Sequence, residues 1–175
     1  ELATAVDRAV FPGIQGGPLM HVIAAKAVAL RLAATEEFRE DQRRTVENAR
    51  TLAAEVAARG GRIIAGGTDN HVFSIDVRPF RTTGKEAERL LDDVGITVNK
   101  NTIPFDPAPP NVTSGIRVGT PATTTRGFGP AEMREVGRLL VEALQTRDEP
   151  AEHARIRAEV HEICARFPVP GLPEA

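Results

Sequence analysis

The stretch Thr113-Ser114-Gly115-Ile116-Arg117-Val118-Gly119-Thr120-Pro121 decides how the chain around it folds. Its centre is β-branched and bracketed by glycines, which is typical of a short strand. Because neighbouring strand residues point to opposite faces, Ile116 and Val118 should face a core and Arg117 should face away. A fixed arginine with open space around it suits a planar carboxylate. A second interpretation stays open, in which Arg117 lies on the surface or in a structural ion pair.

Helical and strand patterns alternate on both sides of this strand. The sequence predicts a short helix over residues 1–10, longer helices over 19–34, 37–59, 83–93 and 130–145, a last helix ending near 166, and strands over 62–65, 71–77 and 96–98. This order predicts an α/β fold in which helices cover a small β-sheet. The helix over 19–34 is apolar nearly all the way round, so we expect it to be buried on most sides or to lie at an interface.

Two irregular stretches could carry function. Residues 11–18 form a glycine- and proline-rich loop before a helix start, where Gly16 and Gly17 leave the backbone bare enough for a phosphate; a plain turn is the alternative. Residues 99–113 form a long loop broken by prolines. At its start, Asn101 is suited to contact an amide or a ring nitrogen, and a simple Asx turn is the alternative.

Composition narrows the class of partner. A net charge of −2 and the lack of Trp and Tyr argue against nucleic acid or an anionic membrane, and favour small molecules or protein. No apolar run approaches the roughly 18 residues that a membrane span needs. The single cysteine, Cys164, fits a reducing compartment and a buried structural thiol, and the four histidines form no predicted metal site. We expect a cytoplasmic protein and, because the chain starts at Glu1, a piece of a longer one.

Four long motifs occur in one order along the chain: FPGIQGGPLMH at 11–21, GGTDNH at 66–71, VNKNTIP at 98–104 and TSGIRVGTP at 113–121. With this order and spacing, the chain resembles the C-terminal part of serine hydroxymethyltransferases over essentially its whole length. The resemblance implies a pyridoxal phosphate enzyme of the aspartate aminotransferase fold type, also called fold type I. Such enzymes interconvert serine and glycine and pass a one-carbon unit to tetrahydrofolate.

The resemblance also implies a domain division and a set of site residues. Residues 1–34 would close the large cofactor-binding domain with a loop and its terminal helix, and residues 35–175 would form the small C-terminal domain. Arg117 matches the arginine that holds the substrate carboxylate. Gly16 and Gly17 match the loop that reaches the cofactor phosphate of the neighbouring subunit in a homodimer. The residues matching the folate site are Asn101, Pro109, Pro110 and Asn111, the last of which replaces a usually aromatic or larger apolar residue.

One part of the family pattern is missing from this sequence. The family holds its cofactor as a Schiff base on a lysine within a Thr-Thr-His-Lys type motif, and no such motif occurs here. The only lysines are Lys26 in the apolar helix, Lys85 at a helix start and Lys100 in the folate-type loop. We therefore expect no catalytic residue in this chain, inactivity of the chain alone, and a need for the N-terminal remainder of the enzyme.

Two other functions stay open at this point. One is a different fold type I pyridoxal phosphate transferase that also uses an arginine for a carboxylate; the loop that opens with Asn99 argues against it. The other is a non-catalytic binding or oligomerisation module. The apolar helix from Leu19 favours a chain that stays associated with further polypeptide, because such a surface left uncovered promotes aggregation.

Overall fold

The computed structural model describes residues 1–171, which form two compact units, the first of them Glu1–Arg39. This unit contains α1 (Leu2–Arg8), an irregular turn over Ala9–Ile14 and α2 (Met20–Ala33). None of its described side chains is buried, so the expected burial of α2 on most sides is not found within residues 1–171. The exposed apolar side chains around α2 are Leu19, Met20, Ile23, Val28, Leu30 and Leu32. Although α2 is apolar, none of the helices described is both long and hydrophobic enough to cross a membrane.

A four-stranded antiparallel sheet organises the second unit, which starts at Glu40. Its strands are β1 (Arg62–Ile63), β2 (Val72–Asp76), β3 (Asn99–Asn101) and β4 (Gly115–Gly119), in the spatial order β1-β2-β4-β3. The strand predicted around Arg117 is therefore β4, and it is hydrogen-bonded on both sides. Arg117 pairs with Ser74 of β2 and with Asn99 of β3.

Helices cover one face of this sheet, as the sequence predicts. They are α3 (Glu36–Ala58), α4 (Gly84–Asp93), the short α5 (Pro121–Thr125), α6 (Pro130–Gln145) and α7 (Pro150–Arg166). The inward face of the sheet and the helices share one core, whose fully buried large side chains include Ile75, Leu91, Ile116, Leu139, Leu140 and Ile156. The α/β class is thus confirmed, and four of the long helices end within a residue or two of the predicted bounds. The stretch after β4, where the sequence predicts no helix, contains α5.

The third strand lies three residues later in the chain than predicted. Residues 96–98 carry the β-branched pattern but lie outside the sheet, and the pairing with β4 begins at Asn99. Val98 is buried and Ile96 packs against the core, so these side chains fill space between sheet and helices without joining the ladder. The sequence predicts a loop that starts at Asn99. In the structure, Asn99 and Asn101 belong instead to β3 and pair with β4.

Buried polar contacts fasten the end of β4 to α3. The side-chain amide of Asn48 donates to Thr124 Oγ1 and to the Phe128 carbonyl, both at 2.9 Å. The Thr120 hydroxyl donates to the Thr45 carbonyl at 2.8 Å. Buried polar groups are costly unless they are paired, so these bonds fix one docking position between the two elements.

We expect Asn48→Ala to lower the free energy of unfolding of the second unit by about 1–3 kcal/mol, because two buried acceptors lose their donor. Chemical denaturation followed by circular dichroism measures this change. Glu47→Ala alters the exposed neighbouring position and should shift the unfolding free energy by less than about 0.5 kcal/mol. Equal stability of the two variants would show that the Asn48 contacts contribute nothing.

Candidate functional site

Arg117 lies on the polar face of the sheet, as the alternation predicts. Ile116 is fully buried and Val118 is 7% exposed, whereas Arg117 is exposed. Its pairing partners Ser74 and Asn99 lie directly opposite on the two neighbouring strands. Residues directly opposite in an antiparallel pair share a face, so these three side chains form a polar row across the sheet. Strands on both sides fix the backbone from which the guanidinium extends.

A buried carboxylate, Asp76, lies diagonally across from Arg117, since it pairs with Gly115 two residues earlier. Asp76 is only 1% exposed and accepts hydrogen bonds from the Arg78 guanidinium at 2.7 and 2.9 Å and from Arg62 at 2.9 Å. The bonds from Arg78, outweighing the opposing effect of burial, hold the pKa of Asp76 below its usual range, and the charge of Arg62 adds to them. The negative charge of Asp76 is therefore already paired.

The guanidinium of Arg117 makes no hydrogen bond or ion pair with any residue in 1–171. Asp76, the nearest carboxylate in the pairing register, is satisfied by Arg62 and Arg78. A structural ion pair, one of the interpretations that the sequence left open, is thus not formed within the described part of the chain. The donors of Arg117 are available to an anion.

Asn101 lies on the same face of the sheet as Arg117. It pairs with Gly115, two residues before Arg117 along β4. Its side-chain amide donates to the Thr102 carbonyl at 2.7 Å, a local contact that differs from an Asx turn, in which the side-chain oxygen would accept a backbone N–H. An asparagine amide has a second N–H and an acceptor oxygen, and within residues 1–171 these remain available.

The predicted folate residues Pro109, Pro110 and Asn111 are exposed on the loop over residues 102–114, which joins β3 to β4. The Pro109 carbonyl accepts the N–H groups of Val112 and Thr113 at 2.9 and 3.0 Å, which makes a tight turn around the three residues. The loop thus begins beside Asn101 and ends where β4 begins.

Asp106 holds this loop together, and sequence reasoning did not single it out. Its carboxylate accepts the Ser114 hydroxyl at 2.6 Å and the N–H groups of Ala108, Ser114 and Ile103 at 2.9, 2.9 and 3.1 Å. Loss of water contacts raises the pKa of Asp106, but these hydrogen bonds lower it by more, so the pKa lies well below the usual range. An aspartate before a proline is a known loop-forming signal, but nothing local shows that its partner is Ser114.

The sequence of this chain matches a known protein family. Residues 1–140 match the family described as serine hydroxymethyltransferase. The chain belongs to this family. Serine hydroxymethyltransferases are pyridoxal phosphate-dependent transferases, and the matched residues include the first unit and, in the second, all four strands of the sheet and the loop that Asp106 holds.

The remaining predicted site residues of this serine hydroxymethyltransferase chain, Gly16 and Gly17, belong to the first unit. No atom lies within 4 Å of the position that a Cβ would take at either glycine. α2 starts at Met20 without a side-chain cap, so Pro18 lies before the helix. A bare backbone beside an uncapped helix start fits a phosphate group such as that of pyridoxal phosphate.

We expect Asp76→Asn to destabilise the second unit near neutral pH by on the order of 1–3 kcal/mol, because two guanidiniums lose a charged acceptor. The pKa of Asp76 in the folded state lies below its unfolded value of about 3.9, so the advantage of the aspartate is present above that pH. It should be lost as the pH falls through the folded-state pKa. Denaturation curves at a series of pH values measure the difference.

The matched control for this experiment is Asp92→Asn, which changes an exposed carboxylate on α4 and should alter stability by less than about 0.5 kcal/mol. A difference between wild type and Asp76→Asn that stayed constant down to the acid limit would rule out the charge pairing as its cause.

Proposed function

We propose that this chain forms part of a serine hydroxymethyltransferase that interconverts serine and glycine and passes the one-carbon unit to tetrahydrofolate, with pyridoxal 5'-phosphate as cofactor. The observation that carries the proposal is Arg117, exposed and unpaired within residues 1–171 on a rigid strand. Family membership over residues 1–140 supports the reaction class.

In this proposal Arg117 binds the carboxylate of the amino acid substrate through two parallel hydrogen bonds. Asp76 does not compete for it, because Arg62 and Arg78 already pair with that carboxylate. A substrate held at both carboxylate oxygens has a fixed orientation, which selects the bond that breaks. Pyridoxal phosphate, when bound, supplies the electron sink for that cleavage.

We assign the folate side of the site to Asn101 and to Pro109, Pro110 and Asn111. The free oxygen and N–H of Asn101 are suited to an amide or a ring nitrogen of tetrahydrofolate. The exposed prolines and Asn111 lie on the loop that follows Asn101 in the chain. Because Asn101 shares a sheet face with Arg117, the one-carbon donor and acceptor would meet over one surface.

The cofactor phosphate, in this proposal, is bound by Gly16 and Gly17, and the subunit they serve is the neighbouring one in a homodimer. Their unobstructed backbone supports the phosphate contact. The exposed apolar side chains around α2 support a protein partner for the first unit, since a surface of this kind is unfavourable in water.

We further infer that the Schiff-base lysine comes from the N-terminal part of the enzyme. Lys100 forms an ion pair with Glu88 and pairs with Ile116, so it faces away from Arg117. Lys85 lies in the first turn of α4, and Lys26 is exposed on the apolar α2. None of the three is buried, whereas a lysine that acts as a nucleophile is commonly held in a desolvated pocket.

Replacing Arg117 with alanine in the pyridoxal phosphate holoenzyme that contains this chain should raise the KM for serine about 100-fold, because two charge-assisted bonds are lost. Steady-state kinetics measure the effect, and Arg117→Lys should restore only part of the affinity because an ammonium cannot grip both oxygens. Arg89→Ala, at an exposed position on α4, serves as the control and should leave the KM unchanged. An unaltered KM in Arg117→Ala would remove the proposed role.

The 175-residue chain by itself, mixed with pyridoxal phosphate and no amino acid, should give no stable Schiff-base absorption band and no lysine-linked pyridoxyl group after borohydride reduction, because it contains no suitably placed lysine. Absorption spectroscopy and mass spectrometry make the test, with the holoenzyme as the positive control. A stoichiometric pyridoxyl adduct on Lys26, Lys85 or Lys100 would overturn the inference that the lysine is supplied by another segment.

A further inference from the structure

The loop over residues 102–114 has one polar centre. The Asp106 carboxylate binds Ile103 near the start of the loop, Ala108 in its middle and Ser114 at its end. Within the described structure, every side-chain hydrogen bond made by residues 104–111 involves Asp106. Without this carboxylate, only short backbone turns would shape that segment.

The backbone next to Asp106 is strained, which shows that the shape of the loop is imposed on it. Phe105 has a φ of +55° and its side chain is fully exposed. A left-handed conformation costs a bulky residue roughly 1–2 kcal/mol, and burial of the ring does not offset that cost here. The hydrogen bonds of Asp106 oppose relaxation of this residue, and strain of this kind is often found at ligand-binding loops.

The strand that follows the loop is anchored independently of Asp106. β4 is paired on both sides, and α4 grips the loop exit through N–H groups of Gly84 and Lys85, which donate to the Thr113 and Val112 carbonyls at 2.9 Å. Gly84 permits this approach, because a Cβ there would overlap Thr113 Oγ1. Arg117 should therefore keep its position when Asp106 is altered.

We propose that Asp106 is a positioning residue for tetrahydrofolate: its carboxylate fixes residues 103–108, which lead from Asn101 to the turn at Pro109, Pro110 and Asn111, while α4 holds the far side of that turn. Asp106 itself does not touch the substrate. Holding the loop in its binding conformation spares the ligand the entropy of ordering it. The low pKa of Asp106 keeps the carboxylate charged throughout the physiological range, so the loop stays fixed. The inference rests on the proposed function, in which this loop contacts folate.

The test is Asp106→Asn in the holoenzyme. The amide NH2 replaces one acceptor oxygen, so at least one backbone N–H, that of Ala108 or those of Ile103 and Ser114, loses its partner. We expect the KM for tetrahydrofolate to rise about tenfold or more, and the KM for serine to change less than about twofold, because β4 is held separately. Ser114→Ala removes one of the four bonds and should give a smaller shift in the same direction. Asp92→Asn on α4 is the exposed control.

Fluorescence anisotropy can measure the mobility of the loop without any measurement of catalysis. The chain has no Trp and no Tyr, so Phe105→Trp places a single fluorophore at the exposed tip of the loop in the 175-residue chain. Adding Asp106→Asn should lower its fluorescence anisotropy while the far-ultraviolet circular dichroism stays the same. A simple loss of folding would change both signals.

The positioning role of Asp106 and the proposed function can fail separately. A tetrahydrofolate KM that is unchanged in Asp106→Asn, or serine and tetrahydrofolate KM values that rise together, would overturn the positioning role and leave the proposed function intact. An unchanged anisotropy would also overturn it. A wild-type holoenzyme that cleaves serine without any dependence on tetrahydrofolate would overturn the folate assignment itself.

Discussion

The pairing of β4 on both of its edges is the constraint on which the site depends. Ile116 and Val118 fill the core on one face, and hydrogen bonds to β2 and β3 fix the register. A slip of one residue would bury the Arg117 guanidinium and expose both aliphatic side chains, so this register is strongly favoured. The position of the arginine is therefore a consequence of core packing on the opposite side of the sheet.

The charges on the polar face leave one arginine, Arg117, without a partner among residues 1–171. Three guanidiniums, those of Arg62, Arg78 and Arg117, share the neighbourhood with the buried Asp76, and the first two pair with it. An aspartate without those partners would be desolvated next to Arg117 and would bind it. In the proposed site, the ion pairs of Asp76 with Arg62 and Arg78 keep this carboxylate from competing with a ligand for Arg117.

The two carboxylates of this region have different physical roles. Asp76 balances charge beside the sheet, whereas Asp106 determines the shape of the loop that enters β4. Both have a pKa below the usual range, the first mainly through arginine and the second through hydroxyl and backbone donors. Strand pairing with β2 and β3 supports Arg117, whereas the carboxylate of Asp106 supports the proline-containing loop, so different contacts hold the two parts.

The sequence by itself determined the helices, the alternation around Arg117 and the family motifs, because burial periodicity and motif spacing are local properties of the chain. It placed the third strand at 96–98, since β-branched residues suit a core as well as a ladder, and pairing decides between them only when β4 is present. Only the tertiary structure showed that Asp76 and Asp106 are bound and that Arg117 is unpaired among the described residues. Several of these contacts are short-range, but Arg62 lies 14 residues from Asp76 and Ser114 lies 8 residues from Asp106, and periodicity along the chain does not predict such pairs.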